Sequence, residues 1–102
     1  MVIEEIQIES LIESEYNPRT LTKEQKQHLS DSINRFGFVD PIIVNNNPDR
    51  MNVVIGGHQR LRVARELGFK TVPVVYLNLD LPLEKELNLR LNKNVGSWDM
   101  DI

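Results

Sequence analysis

The sequence contains no cysteine, and its 102 residues include only two histidines, His28 and His58. Without cysteine the chain has no disulfide, no thiolate ligand for zinc and no cysteine nucleophile. The two histidines also lack the spacing of a familiar zinc motif. These absences exclude sulfur-based catalysis and the common zinc sites from the functions to be considered.

Long hydrophobic runs and a basic N-terminal leader are missing as well. No apolar run approaches the ~20 residues that a membrane helix needs. The first residues, Met1 to Glu5, lack the basic start of a secretory signal. We therefore expect a cytoplasmic protein that has no membrane partner.

Charge is low and unevenly distributed. The net charge of −3 argues against broad electrostatic adhesion to DNA. The first 15 residues carry glutamates and no basic residue, whereas residues 58–70 are rich in arginine. This basic cluster adjoins a glycine pair, so it either serves a local anion or forms a solvated helix face. Its members are Arg60, Arg62, Arg65 and Lys70.

Hydrophobic periodicity predicts seven elements in the order β, α, β, β, α, β, α. This order indicates a fold of the α+β (mixed α/β) class, a short mixed sheet with about three packed helices. Thr22 and Gln25 form a capping-box signature, Gly37 is a predicted left-handed helix end, and Pro73 predicts a strand start or an edge strand. Strands are expected at 2–8, 42–44, 51–55 and 72–77, and helices at 22–36, at 58–67 and after residue 80.

The turn formed by residues 56–60 joins an apolar strand to a helix. Its glycines, Gly56 and Gly57, let the backbone turn sharply and approach a ligand without an intervening Cβ. The first N–H groups of a helix have no intrahelical partner and lie at the positive end of its dipole, so an anion is stabilised there. The turn is therefore a candidate phosphate site, although many such turns bind no ligand.

Arg60 strengthens this hypothesis. It shares a helical stripe with Ala64 and Leu67 and so lies on the apolar side, in a first turn where a cation opposes the dipole. A partly buried cation needs an anionic partner. That partner is either an N-terminal glutamate or a ligand phosphate, which a guanidinium binds in bidentate geometry.

The remaining titratable side chains give weaker signals. His58, at the helix start, is a hydrogen-bonding group or, beside a phosphate, an acid or base. Asp40 and Asp80 are interpreted as caps, and His28 as structural. No motif contains the carboxylate pair that phosphoryl transfer with Mg²⁺ usually requires.

Residues 54–64, VIGGHQRLRVA, resemble the Gly-x-x-Arg phosphate-binding segment of the ParB-like N-terminal domains of the ParB/sulfiredoxin superfamily. Asn17-Pro18-Arg19 resembles the family's early Asn-Pro-Arg box, and residues 37–44 resemble the strand that lines the nucleobase and sugar. The resemblance covers essentially the whole chain and implies a small ParB/sulfiredoxin-like domain that binds a nucleotide. The implied binding residues are Gly56, Gly57, His58, Gln59, Arg60, Asn17 and Arg19.

The same resemblance implies a nucleotide, CTP or ATP, bound with Mg²⁺, and a homodimer that closes on binding. Partition ParB proteins use a Glu-Asn pair with Mg²⁺ where this chain has Leu91-Asn92, so the main carboxylate ligand is missing and Asn92 remains the candidate metal ligand. Those proteins continue into a helix-turn-helix region. We expect one ParB-like domain over residues 1–102, without that region.

The C-terminal residues narrow the resemblance further. Residues 91–94, Leu-Asn-Lys-Asn, followed by Gly96 to Asp99, resemble the end of the ParB-like domains found in phages and fused to DNA-modification methyltransferases. This implies a phage, plasmid or DNA-modification context. The implied partner is a DNA methyltransferase, or a DNA-binding region in a longer chain.

Three functions remain open at this point. The first is a nucleotide-binding module that acts as a CTP- or ATP-dependent switch. The second is a ParB-like nuclease or phosphoryl-transfer enzyme, nucleotide hydrolysis included, with His58 as its catalytic candidate; sulfiredoxin activity is excluded, since it needs a cysteine at that position. The third is a non-catalytic interaction domain of a DNA methyltransferase. Its apolar surface would consist of Leu83, Leu87, Leu89, Leu91 and Trp98.

Overall fold

In a computed structural model, described for residues 2–16 and 20–101 and for side chains as far as residue 92, the elements follow the predicted order. The α+β class, with a short mixed sheet and three α-helices, is confirmed. None of the described helices is long and apolar enough to cross a membrane. The elements are β1 (Ile3–Gln7), α1 (Lys23–Phe36), β2 (Ile42–Asn45), β3 (Val54–Gly56), α2 (His58–Glu66), β4 (Thr71–Leu77) and α3 (Leu81–Asp101), with 3-10 turns at Ile8–Ser10 and Pro48–Arg50.

The four strands form one sheet in the order β1-β4-β2-β3. The inner pair, β2 and β4, is parallel, with Ile42 opposite Val74, and each outer strand pairs antiparallel with its inner neighbour. Apolar residues of the inner strands and of α2 form the core, because strands covered on both faces lose contact with water along their whole length. The buried cluster comprises Ile8, Leu11, Ile42, Val44, Val54, Leu61, Ala64, Val72 and Val74.

Helix α1 begins and ends close to the predicted residues. The Thr22 hydroxyl accepts the N–H of Gln25 at 3.1 Å, and the Gln25 side chain accepts the N–H of Thr22 at 3.0 Å, so the predicted capping box is confirmed. Gly37 follows the helix with φ 74° and ψ −161°. Its φ is positive as predicted, but its ψ lies outside the left-handed helical region.

Pro73 occupies a position that the sequence did not predict. It is the third residue of β4, which lies between β1 and β2, and is therefore neither at a strand start nor in an edge strand. It pairs with Glu5 of β1, whereas β2 begins to pair only at Val74. The missing N–H of proline is tolerated here because Pro73 precedes the part of β4 that has a neighbour on both sides.

Helix α3 packs through polar side chains rather than through the leucines alone. Asp80 caps it as predicted, accepting the N–H of Leu83 at 3.1 Å. Leu83 and Leu89 are 50% and 69% exposed, while Glu84 and Asn88 are buried. The leucine pattern thus failed to predict the buried face, because hydrogen-bonding partners in the rest of the fold stabilise these polar groups there.

Candidate functional site

The turn between β3 and α2 has the conformation that an anion site requires. Gly57 is the N-cap of α2 and adopts φ 92° and ψ 21°, a left-handed conformation that favours glycine. Gly57 has no side chain that could cap this helix, and the first turn contains no acidic residue. The first N–H groups of a helix have no intrahelical acceptor, and here they form the positive end of a nine-residue helix.

Both glycines of the turn are closely approached by other residues. A Cβ on Gly56 would lie 2.8 Å from Cδ1 of Leu91 in α3. A Cβ on Gly57 would lie 2.8 Å from Cδ1 of Ile42 and 2.9 Å from Nη2 of Arg60. Gly56 thus allows α3 to pack on the strand end, and Gly57 allows the Arg60 guanidinium to lie against the backbone of the turn.

The Arg60 side chain has a hydrogen-bond donor without a partner. Its Nη2 donates to the carbonyl oxygen of Pro41 at 3.1 Å, but its buried Nε has no hydrogen-bond partner. Burial lowers the pKa of Arg60, and the charge of Asp40 offsets this shift in part. Within residues 2–16 and 20–92, Arg60 forms no ion pair. A partly buried guanidinium whose buried Nε donates no hydrogen bond is costly unless an anion joins it.

Two of the N-terminal glutamates, the alternative partners for Arg60, pair with other arginines. Glu13 accepts from Arg62 at 2.7 Å and lies 3.6 Å from Arg65. Glu15 accepts from Arg50 at 3.0 Å. In the described part of the chain, two arginines of the predicted basic cluster are thus bound to a carboxylate of the fold, and Arg60 retains its capacity to bind an anion.

His58 is buried, and its ring is held by hydrogen bonds. A parallel bridge between Ile12 and Val53 brings Ser14 close to the start of α2. The His58 Nε2 lies 3.0 Å from the Ser14 hydroxyl oxygen and 3.4 Å from the Ser14 backbone nitrogen. Burial lowers the pKa of His58 below its ordinary value. The geometry favours the hydrogen-bonding interpretation of His58 over the catalytic one, because the Ser14 N–H can donate only to an unprotonated Nε2.

Helix α3 is tied to the end of β3 by asparagines that the sequence reasoning did not single out as a pair. Asn88 is buried and donates to the carbonyl of Ile55 at 2.9 Å, directly before Gly56. Asn92 donates to Oδ1 of Asn88 at 3.2 Å. A polar stripe at four-residue spacing, Glu84, Asn88 and Asn92, was the signal that could have found this face.

The described residues do not form a protein-built site for a divalent cation. They contain no group of three or more His, Cys, Asp or Glu side chains placed to hold a metal ion. Asn92, the predicted metal ligand, is engaged with Asn88. Since Mg²⁺ prefers carboxylate and phosphate oxygens, these residues fit Mg²⁺ only as an ion held mainly by the phosphates of a ligand.

The remaining predicted residues lie outside what the structure describes. Asn17 and Arg19 fall in the undescribed segment 17–19, and the side chains of Lys93 to Asp99, which include Trp98, are undescribed as well.

Gln59 lies in the first turn of α2 and is half-buried. The structure thus brings together Gly56, Gly57, Gln59 and Arg60 at the turn, with His58 packed behind it.

This fold and this turn belong to a known class of domains. Residues 1–95 match the ParB N-terminal domain family. The chain is therefore a member of the ParB N-terminal domain family, which confirms the resemblance seen in its sequence motifs.

Relatives and solved structures agree with this assignment. The nucleoid occlusion protein of Bacillus cereus (strain AH187) is 33% identical over 79 residues, which cover 76% of this chain and 27% of that protein. The C-terminally truncated chromosome-partitioning protein ParB from Caulobacter crescentus, complexed with CTP-γ-S, is 33% identical with a TM-score of 0.79, over 90% of this chain and 53% of that one. Sulfiredoxin from Arabidopsis thaliana shares the fold, with a TM-score of 0.72 at 21% identity over 85% of this chain and 97% of that one.

The chain thus spans about a quarter of the length of the curated relatives that it matches. It corresponds to about half of the truncated Caulobacter ParB. What those longer proteins do as a whole does not follow from this segment.

The two glycines with left-handed φ that flank α2 allow a matched test. We expect Gly57→Ala to destabilise the fold more than Gly68→Ala does. Both positions have positive φ, which costs a residue with a Cβ about 1–2 kcal/mol, but only Gly57 has atoms within 4 Å of the added Cβ. The additional loss of unfolding free energy at Gly57 should be roughly 1–3 kcal/mol, as for an overpacked site, measured by urea denaturation. Equal losses in the two variants would contradict the close approach of Ile42 and Arg60.

The buried ring of His58 predicts a pH dependence of stability. Its pKa is lowered in the folded state, so as the pH falls through about 6.5 the unfolded chain binds a proton that the folded chain does not. The free energy of unfolding should therefore decrease from pH 8 towards pH 5.5, by at most about 1.4 kcal/mol per pH unit for this proton.

Urea denaturation at a series of pH values measures this dependence. In His58→Gln the decrease between pH 8 and pH 5.5 should become much smaller, whatever the absolute stability of that variant. His28, which is exposed on α1, provides the control, and His28→Gln should keep the wild-type slope. An unchanged slope in His58→Gln would show that the ring is not held in its neutral form.

Proposed function

We propose that this chain is a nucleotide-binding ParB-like module whose turn at Gly56–Arg60 binds the phosphates of a nucleoside triphosphate. The observation that carries the proposal is Arg60, a half-buried side chain whose buried Nε has no hydrogen-bond partner, in the first turn of α2 at the positive end of that helix. The positive helix end and the guanidinium both favour an oxyanion at the same place. Arg19 and Asn17 are proposed to contact the nucleotide as well.

The choice of ligand is supported by a related structure. The Caulobacter ParB that shares 33% of its residues with this chain was solved with CTP-γ-S bound. CTP is therefore the first candidate, and ATP is the second. Mg²⁺ would accompany the nucleotide and neutralise part of the charge of its phosphates, with Asn92 as the proposed protein ligand.

The module is proposed to act as a switch. Nucleotide binding would close a homodimer. This conformational change would be transmitted to a DNA-binding region or a DNA methyltransferase in a longer chain. The relation to nucleoid occlusion and chromosome-partitioning proteins supports an association with DNA. The proposed function implies a cytoplasmic location, where nucleoside triphosphates are found.

Binding, rather than catalysis, is the function that the geometry supports. The ring of His58 is buried and its Nε2 is hydrogen-bonded to Ser14, so this nitrogen is not free to take a proton from a ligand. The described residues supply no observation that favours nuclease or phosphoryl-transfer chemistry. We therefore propose that the site binds the nucleotide and that binding changes the conformation of the domain.

Isothermal titration calorimetry with CTP, ATP and GTP, with and without Mg²⁺, tests the proposal. We expect Arg60→Ala to weaken the affinity for the preferred nucleotide roughly 10- to 100-fold, since a hydrogen bond to a charged group contributes about 1.5–3 kcal/mol. Arg60→Lys should recover only part of this loss, because lysine lacks the planar fork that matches a phosphate.

Arg90 offers a control with the same change of charge. It is exposed on α3, where it pairs only with Glu86 of the same helix among the contacts described, so Arg90→Ala should bind nucleotide as the wild type does. Absence of heat for every nucleotide at millimolar concentration would refute the proposal. Equal affinities in Arg60→Ala and wild type would refute the assignment of the phosphate site.

A further inference from the structure

The strand that enters the turn proposed to bind phosphate has an irregularity directly before the glycines. On β2, Ile43 and Val44 are adjacent, but their partners on β3 are Gly56 and Val54, which are two positions apart. Ile55 is therefore the extra residue of a β-bulge, and in the register of the described sheet it has no partner on β2. A bulge bends its strand and changes the direction in which the chain continues. Here it sets the direction in which the chain enters the turn.

Asn88 of α3 supplies a hydrogen bond to this extra residue. Its Nδ2 donates to the carbonyl oxygen of Ile55 at 2.9 Å, and the Asn88 side chain is buried, at 5% exposure. A buried carbonyl without a donor is costly, and the ladder between β2 and β3 is interrupted at the bulge. A side chain 33 positions away in the sequence thus satisfies the backbone group that precedes Gly56.

The amide of Asn88 makes contacts on both of its sides. Because a backbone carbonyl can only accept, the atom that faces Ile55 must be the amide nitrogen, and the oxygen lies on the other side of the planar group. That oxygen accepts from Nδ2 of Asn92 at 3.2 Å. Asn88 therefore connects the bulge to the side chain proposed as the Mg²⁺ ligand. Leucine or an ionised aspartate could not make both contacts.

Helix α3 is itself held in one place relative to the sheet. Glu84, one helical turn before Asn88, is buried and accepts hydrogen bonds from other parts of the chain. The donors are Nη2 of Arg50 at 2.8 Å, Nδ2 of Asn45 at 2.8 Å and the hydroxyl of Tyr16. Satisfied networks of this kind define the relative positions of the elements that they join. The contact from Asn88 to the bulge therefore comes from an element whose position is fixed independently of the turn.

We propose that Asn88 is a positioning residue for nucleotide binding, which holds the bulge at Ile55 so that the turn and the start of α2 face the phosphates. This inference rests on the proposed function. Arg60 and the first N–H groups of α2 bind one phosphate group together only if the backbone between them has a single conformation. Loss of the contact between Asn88 and Ile55 should therefore lower the nucleotide affinity of a chain that is still folded.

The pH profile of Asn88→Asp tests this role. At pH 8 the introduced carboxylate can only accept, and it faces the carbonyl oxygen of Ile55, so the affinity should be about tenfold weaker than that of the wild type. Burial raises the pKa of a carboxyl group at this position. The protonated acid has a hydroxyl that donates to Ile55 and a carbonyl oxygen that accepts from Asn92, so it restores both contacts.

Isothermal titration calorimetry with the nucleotide that the wild type prefers measures the effect. The ratio of the Kd of Asn88→Asp to that of the wild type should fall from about ten at pH 8 towards one at pH 5.5. The ratio removes the titration of the phosphates and of His58, because both proteins share it. Asn88→Leu is the second variant. It cannot titrate, so its ratio should stay near ten at each pH.

Two controls separate this effect from charge and from stability. Asn78 is exposed in the loop before α3, and Asn78→Asp makes the same chemical change there, so its affinity should match the wild type at each pH. Ile8→Val shortens a core side chain at the edge of the sheet opposite β3, and it should lower the melting temperature without changing the affinity. Thermal denaturation shows which proteins are folded under the conditions of each titration.

The outcomes distinguish this inference from the proposed function. A wild type that binds no nucleotide would overturn both. A wild type that binds, together with folded Asn88 variants of equal affinity and lower melting temperature, would show a purely structural contact and overturn the inference alone. A Kd ratio for Asn88→Asp that stays the same at each pH would also overturn it. If one Asn88 variant does not fold, the affinity of the other decides by the same criteria.

Discussion

The contact between the Arg60 guanidinium and the backbone of Gly57 is the constraint around which the site is arranged. Nη2 of Arg60 would lie 2.9 Å from any Cβ at position 57, and the left-handed φ of 92° at that position also favours glycine. From there Arg60 reaches the carbonyl of Pro41, at the entrance to β2. One side chain thus joins the start of α2 to the start of an inner strand and keeps its charge beside the first N–H groups of the helix.

This arrangement places a cation at the positive end of a helix dipole, and the fold tolerates the electrostatic cost of that repulsion. Glu13 and Glu15 lie in the same region of the molecule but neutralise Arg62, Arg65 and Arg50. Within the described residues, the positive charge at the turn is therefore concentrated on one guanidinium with a spare donor. This distribution of charge favours a compact oxyanion over an extended polyanion at the proposed site, in keeping with the net charge of −3.

Helix α3 shows how polar packing can serve the geometry of a binding site. Its exposed leucines, Leu83 and Leu89, and its buried Glu84 and Asn88 reverse the arrangement expected of an amphipathic helix on a core. Each buried group has a defined partner, so the helix has one register on the sheet and not several of similar energy. An apolar face would have packed with less directional preference, and the position of α3 relative to the turn would have been less sharply defined.

Local signals in the sequence were sufficient wherever neighbouring residues determine the structure. The capping box at Thr22 and Gln25, the helix end near Gly37, and the glycine turn before α2 all depend on residues within a few positions of each other, and all three formed where predicted. Arg60 was also identified correctly as a cation on the apolar side, because helical periodicity relates it to Ala64 and Leu67. Pro73 and the buried face of α3 were not predicted correctly, because neighbours in the sheet decide whether a proline or a glutamate is tolerated.

The sequence by itself thus determined the order of the elements, the family and the turn that is proposed to bind phosphate. The tertiary structure alone decided which charged side chains near this turn are paired within the fold and which can still bind an anion. Ser14 meets His58 across 44 positions of sequence, and Tyr16 meets Glu84 across 68. Helical and strand periods carry no information about such pairs, because they arise only when strand pairing brings distant segments together. The roles of His58, Glu84 and the N-terminal glutamates therefore became visible only in the folded chain.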